Sequence, residues 1–261
     1  NTDQQDSDSD GIGNACDPDS GGSPAPSSGG GGGGGWTKPF SEWHTPSTIV
    51  GVGLESTDDE TIEVAPEACY VMRSGNLSDV AGHWSKANVA ALYQRSISDG
   101  YAKGGVKYFA PDKAINRVEF VKLVLKSLCV DVPTVVSANV FPDVQKGQWY
   151  APFVSIAKVR GFVQGYVDGL FRPANDLSRA EAIKILMLAA GEDVQNYKSS
   201  IFTDMAKHWS VKYIEAARRA GYVRGYNDGT ARPDAPVTRA EAAALIDRIL
   251  LQKDVWKAYA E

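Results

Sequence analysis

A unit of about sixty residues recurs three times in the last two thirds of the chain, and a period of that length implies a stack of like supersecondary units. Each copy opens on an aspartate-containing stretch that ends in tryptophan: "LSDVAGHW" at residues 77–84, "FPDVQKGQW" at 141–149 and "FTDMAKHW" at 202–209. Each later carries an arginine two residues before a glutamate, in "INRVEFV" (115–121), "LSRAEAI" (177–183) and "VTRAEAA" (237–243). Trp84, Trp149 and Trp209 precede Arg117, Arg179 and Arg239 by 33, 30 and 30 residues.

Between those landmarks the same local signals return in order. A helical pattern follows each tryptophan, with Phe153, Ile156 and Ala157 apolar in the second copy and Ile214, Ala217 and Ala220 in the third. Pro152 suits a first turn, and Gly161 and Gly221 suit the left-handed position past a helix end, where the first copy has Ser96. A glycine-rich connector comes next, "GYVDGLFRP" (165–173) and "GYNDGTARP" (225–233), with "GYAKGGVKYFAP" (100–111) three residues longer. Its Asp-Gly pairs predict a tight, hairpin-like turn. A second helix then starts at Asn116, Ser178 or Thr238, each three residues before a glutamate in capping-box spacing.

The expected fold is mainly α: three helix-loop-helix repeats at residues 77–133, 134–194 and 195–261. One helix pair cannot hide its apolar stripe, so the repeats must pack on one another. Three copies can close a pseudo-three-fold bundle, with one helix of each at the centre and a groove between each pair of neighbours.

The arginines are out of place in this scheme. A cation in the first helical turn faces the positive end of the helix dipole and costs about 0.3–1 kcal/mol when exposed. Either each binds an acidic ligand, helped by the N–H groups of the helix start, or each pairs internally with Asp79, Asp143 or Asp204 of its own or a neighbouring repeat.

The remaining sequence is of another kind. Residues 20–35 form a Gly/Ser-rich linker too poor in apolar side chains to fold, and β-branched runs in residues 36–76 suggest a small β-rich lead-in. The formal charge of −5 gives no basic field for nucleic acid, and no apolar run is long enough for a membrane span. Cys16, Cys69 and Cys129 leave open one bridge with a free thiol, or three thiols. His83 and His208 lack a third ligand at metal spacing, and Gln148 stands in the second copy.

The D-V-x-x-H-W start, the G-Y-x-D-G-x-F-x-P connector and the T-R-A-E helix start, in order and three times, resemble the S-layer homology domain of bacterial surface proteins. The first repeat departs most, with Lys103, Ala110 and N-R-V-E where the others have aspartate, arginine and [S/T]-R-A-E. The resemblance implies a module that holds its parent protein non-covalently on the cell wall by binding pyruvylated secondary cell-wall polymer or a related peptidoglycan-linked glycan. Arg117, Arg179 and Arg239 would then bind the sugar carboxylate, with Trp84, Trp149, Trp209, Gly165 and Gly225 lining the grooves. It places the protein outside the cell, on the wall or surface layer, with an anionic polysaccharide and other surface-layer proteins as partners.

The first nineteen residues carry a separate signal. In "DSDSDGIGNACD", Asp6, Asp8, Asp10 and Asp17 fall at positions 1, 3, 5 and 12 of a calcium loop, with the Ile12 carbonyl at position 7. Residues 1–19 resemble the end of a thrombospondin type 3 repeat, which implies calcium as a ligand.

Two other classes compete with the anchor. A glycan hydrolase would need paired carboxylates such as Asp143 and Glu181, but Glu119, Glu181 and Glu241 already have a capping role and no nucleophile with its base is evident. The expected protein is not an enzyme. A lattice-forming module would use the grooves for protein partners.

Overall fold

The computed structural model describes residues 70–252 apart from Asn76 and Gln195. The acidic loop, the linker and nearly all of the expected β-rich lead-in lie outside the described residues. Six α-helices carry the described fold: α1 Lys86–Gln94, α2 Arg117–Ser127, α3 Ala151–Val159, α4 Arg179–Ala189, α5 Val211–Arg219 and α6 Arg239–Ile246, which runs on into a π-helical turn at Asp247–Gln252.

The local signals act where the sequence puts them. Ser178 and Thr238 close reciprocal capping boxes with Glu181 and Glu241. Asn116 accepts from the Glu119 N–H, but Glu119 returns nothing to the cap: its oxygens accept from Tyr101 and Arg239 instead. Ser96 takes the left-handed conformation (φ 56°) that Gly161 and Gly221 take in the other repeats. The three extra residues of the first connector make a true hairpin, β1 Tyr101–Lys103 paired antiparallel with β2 Val106–Tyr108. The shorter connectors close with Tyr166 N–H on Leu170 O and Tyr226 N–H on Thr230 O, both at 2.8 Å.

The second helices of the repeats, α2, α4 and α6, pack on one another at the centre. Their entry points are tied in a ring: Ile115 N–H donates to Val237 O (3.0 Å), Val237 N–H to Leu177 O (2.9 Å) and Leu177 N–H to Ile115 O (2.9 Å). These three side chains are buried, so the polar ring sits within the apolar core. The outer helices close the circle from repeat to repeat, α3 on α2, α5 on α4 and α1 on α6. Each seam is therefore built from the second helix of one repeat and the first helix of the next.

Cys129 is disulfide-bonded, which removes the alternative of three thiols. Among the described residues no helix is long and apolar enough to cross a membrane.

Candidate functional site

The three arginines point across seams. Arg117, only 6% exposed, donates from Nη1 to Glu181 (3.1 Å) and from Nη2 to the Gln164 carbonyl (3.0 Å), and its guanidinium lies over Tyr166 and Phe171. Arg239 makes the corresponding reach into the first repeat: Nε to Phe109 O (2.8 Å), Nη1 to Glu119 (3.4 Å), with Tyr101 and Phe109 beneath it. Arg179 lies 5.4 Å over Tyr226 in the third repeat. Glutamate of the next repeat, rather than aspartate, is thus the internal partner of Arg117 and Arg239. The cost of a cation at a helix start is offset by a carboxylate and an aromatic face from the neighbour.

The aspartates have a different task. Asp143 accepts the Phe171 and Arg172 N–H groups (2.9 and 2.7 Å), Asp204 those of Ala231 and Arg232, and Asp79 those of Phe109 and Ala110. Ala110, Arg172 and Arg232 all have positive φ, so each aspartate clamps a strained point of its own connector. Asp143 and Glu181, the carboxylates of the hydrolase alternative, are both committed in this way, since Glu181 also accepts from Ser178 N–H and from the Tyr166 hydroxyl. Burial, then that bond, pushes the Tyr166 hydroxyl up to about 12.

The N–H groups of the central helices are likewise occupied, contrary to the expectation that they add to an anion site. Arg117 and Val118 donate to Asn175 and Pro173 carbonyls, Arg179 and Ala180 to Ala235 and Pro233, and Arg239 and Ala240 to Lys113 and Pro111. The third N–H of each helix goes to the cap side chain.

Two grooves open beside the arginines. The larger, about 430 Å³, has Arg117 and Glu181 at its floor, the connector from Phe162 to Val167 on one wall, and Lys184, Trp209 and Asp234 on the other. The smaller, about 220 Å³, joins Arg239, Glu119 and Tyr101 to Lys122 and Trp149. Each groove draws on all three repeats, which is why the expected residues meet in a rotated set: Arg117, Gly165 and Trp209 in one, Arg239 and Trp149 in the other. At the third seam Arg179 lies over Tyr226, and Trp84 stands just before α1, which packs on α6.

The tryptophans differ. Trp149 and Trp209 are 57% and 50% exposed, whereas Trp84 is half-buried against the core and its Nε1 has no hydrogen-bond partner. The connector glycines are needed for space. A Cβ on Gly225 (φ +89°) would stand 2.3 Å from a Phe202 ring carbon, and one on Gly165 would stand 2.9 Å from the Phe141 ring.

Beside Trp209, His208 bridges the Ser210 hydroxyl (2.7 Å) and Asp234 (3.2 Å), so its two nitrogens serve the chain; His83 repeats the pattern with Ser85 and Asp112. In the smaller groove Asp99 is held below its usual range, against the opposing effect of burial, by its bond to Arg73 and by Lys126.

Sequence reasoning passed over Tyr101, Tyr166 and Tyr226, and Lys122 and Lys184. The tyrosine follows the connector glycine in all three copies, and each lysine stands five residues after the arginine, so aligning the repeats on one another exposes both.

Three like helical repeats closed on one another, with grooves that join arginine, tyrosine and tryptophan, define the class as a repeat-built helical module. The chain belongs to the S-layer homology family, whose domain matches residues 76–121, 140–183 and 201–243. It is 32% identical over 167 residues to Cell surface glycoprotein 1 of Acetivibrio thermocellus, covering 60% of this chain and 7% of that protein. The Cellulosome-anchoring protein of the same organism is 33% identical over 161 residues, 58% of this chain and 34% of that protein. The S-layer protein of Bacillus licheniformis is 31% identical over 118 residues, 44% of this chain and 13% of that protein. The chain thus spans from 7% to 34% of the length of these relatives.

Proposed function

We propose that the chain holds its parent protein on the outside of a bacterial cell wall, non-covalently, by binding an anionic polysaccharide whose acidic group is a pyruvyl ketal. One observation carries this reading: in each of the two described grooves a guanidinium, paired with a neighbouring repeat's glutamate, stands beside a half-exposed tryptophan. A ketal puts a carboxylate on the edge of a sugar ring, so the acid can meet the guanidinium while the apolar sugar face lies on the indole. The printed names of the relatives, among them a cellulosome-anchoring protein and an S-layer protein, favour the same role. On this reading Arg179, Gly225 and Trp84 form the third, related seam. The chain acts as an anchor without chemistry of its own.

The test is calorimetric titration of the chain with purified wall polymer before and after acid removal of its pyruvyl groups, together with Trp149→Ala/Trp209→Ala, whose exposed side chains can be removed without unfolding. Binding should vanish with the ketal and weaken in the variant. Equal binding of both polymer forms overturns the proposed ligand. A folded chain that binds neither form overturns the anchor and points to protein contacts within a surface lattice. For the acidic loop, ligand spacing alone supports calcium at Asp6, Asp8, Asp10, the Ile12 carbonyl and Asp17, and a calcium titration of Asp8→Ala/Asp10→Ala against the unaltered chain tests it.

A further inference from the structure

The second and third repeats are entered from within the ring, whereas the first is entered from the sequence ahead of it, and residues 70–75 run along it as a strap. The Tyr70 hydroxyl donates to the carbonyl of Ser127, the last residue of α2, at 2.6 Å, with the Arg95 guanidinium above its ring. The Val71 carbonyl accepts from the Ser96 hydroxyl. Arg73 makes the firmest tie. Its N–H donates to Gln94 O (2.9 Å), and its guanidinium, 4.0 Å over the Tyr93 ring, donates to the Tyr93 and Ser98 carbonyls and to Asp99 (2.9 Å). The strap thus joins the far ends of α1 and α2, and only Val71 and Met72 of its larger side chains stay exposed.

Cys129 stands two residues past Ser127 and is disulfide-bonded. The other cysteines of the sequence are Cys16 and Cys69, both outside the described residues. A bridge needs two Cα atoms within about 7 Å of each other. Tyr70, the neighbour of Cys69, is already fastened to the end of α2, whereas Cys16 lies on the other side of the Gly/Ser-rich stretch at residues 20–35. A bridge from residue 69 to residue 129 encloses α1, the hairpin and α2 in one covalent loop.

That loop changes which contacts a pull on the chain would load. Helix α1 closes the ring on α6, and its seam holds a buried carboxylate. Asp247 accepts from Asn88 (3.1 Å) and Gln252 (3.2 Å), burial pushes its carboxyl up, and Asn88 Oδ1 has no hydrogen-bond partner among the described residues. Tension entering through the strap would break its bonds one after another and then draw α1 away from this seam.

We propose that Cys69 is the partner of Cys129 and that the bridge carries the pull of the parent protein past α1, straight to the end of the central helix α2. The pull rests on the anchor reading above; the bridge does not. The strap then aligns the entering chain on the first repeat, and the closing seam stays out of the load path.

The experiment stretches the full 261-residue chain by its two ends in optical tweezers, with and without dithiothreitol. Without reductant the extended chain should fall short of its reduced length by about 20 nm, the contour of the roughly 60 residues from Cys69 to Cys129. Reduction should release that length as a separate step at lower force, ahead of the rest, as the strap and α1 come away. Cys69→Ser and Cys129→Ser should behave without reductant as the reduced chain does, and Cys16→Ser as the unaltered one. The reductant arm needs no substitution, so it decides the question even where a serine variant fails to fold. Equal lengths with and without reductant overturn the pairing, as does a shortfall of about 40 nm, the contour of the roughly 113 residues from Cys16 to Cys129. A 20 nm shortfall with no early low-force step on reduction overturns the load path. Failure of the chain to bind wall polymer in the titration above would overturn the anchor and leave the length result standing.

Discussion

Arg117 and Glu181 lie 64 residues apart in the chain and meet at 3.1 Å across the first seam, one the first-turn arginine of α2 and the other the capping glutamate of α4. Arg239 and Glu119 meet in the same way across the seam that closes the ring. Side chain and backbone of each arginine go to the same neighbour, because its N–H also bonds a connector carbonyl there. The residue that looks misplaced on an isolated helix is a fastener between repeats.

Removal of Arg117 by alanine should therefore destabilise the whole ring by about 3 kcal/mol, because Glu181 is left in a largely dry site without its partner. Urea unfolding should show one transition with a lower midpoint. A double cycle with Glu181→Gln should return a coupling well above that of an exposed ion pair. Additive single effects would contradict the fastener.

The aspartate clamps predict a second loss. Asp143→Ala removes two charge-assisted bonds that hold Arg172 at φ 58°, and should cost about 2–3 kcal/mol. Asp168→Ala, on the same connector but exposed and bonded to Arg172 and the Leu170 N–H, should leave the unfolding midpoint close to that of the unaltered chain.

Space rather than charge governs the connector glycines. Gly225→Ala forces a methyl into the Phe202 ring from a left-handed backbone and should cost more than about 2 kcal/mol. Gly229→Ala has a similar φ but meets only Thr203 at 3.9 Å, so about 1 kcal/mol is expected there. Thermal unfolding of the two variants checks the order.

Glu215 on α5 gives a pH prediction. Its buried carboxylate accepts from Arg218, Arg219 and Ser200, and the Arg218 bond, opposed by burial and aided by Arg219, holds it down to about 2 from the usual 4.5. A folded value below the unfolded one stabilises above about pH 4.5 and is lost as pH falls towards 2. Because Arg219 is largely exposed, the contribution is about 2 kcal/mol rather than the full shift. Glu215→Gln should be less stable than the unaltered chain at pH 7 and nearly equal to it at pH 2.

Helix existence, caps and connectors were legible because their signals are local: Ser178 with Glu181, Thr238 with Glu241, Gly161 and Gly221 at helix ends. The closed three-fold arrangement followed from the repeat count and the need of each helix pair for a neighbour. The partners of Arg117 and Arg239 were not legible, because nothing in a repeat says that its arginine answers to the glutamate of the next one. Asp79, Asp143 and Asp204 were misjudged for the same reason: their partners are backbone N–H groups, which every residue offers. Trp84, Trp149 and Trp209 look alike in sequence and differ in exposure, a property set by the facing helix.

The most direct test of the account is a crystal structure of the chain with the pyruvyl-ketal hexosamine bound. The account predicts the sugar on Trp209 in the groove beside α4, its carboxylate facing the Arg117 guanidinium, with a second copy beside Trp149 and Arg239. Sugar bound away from the seams, or both grooves empty under conditions that saturate the chain in solution, would contradict it.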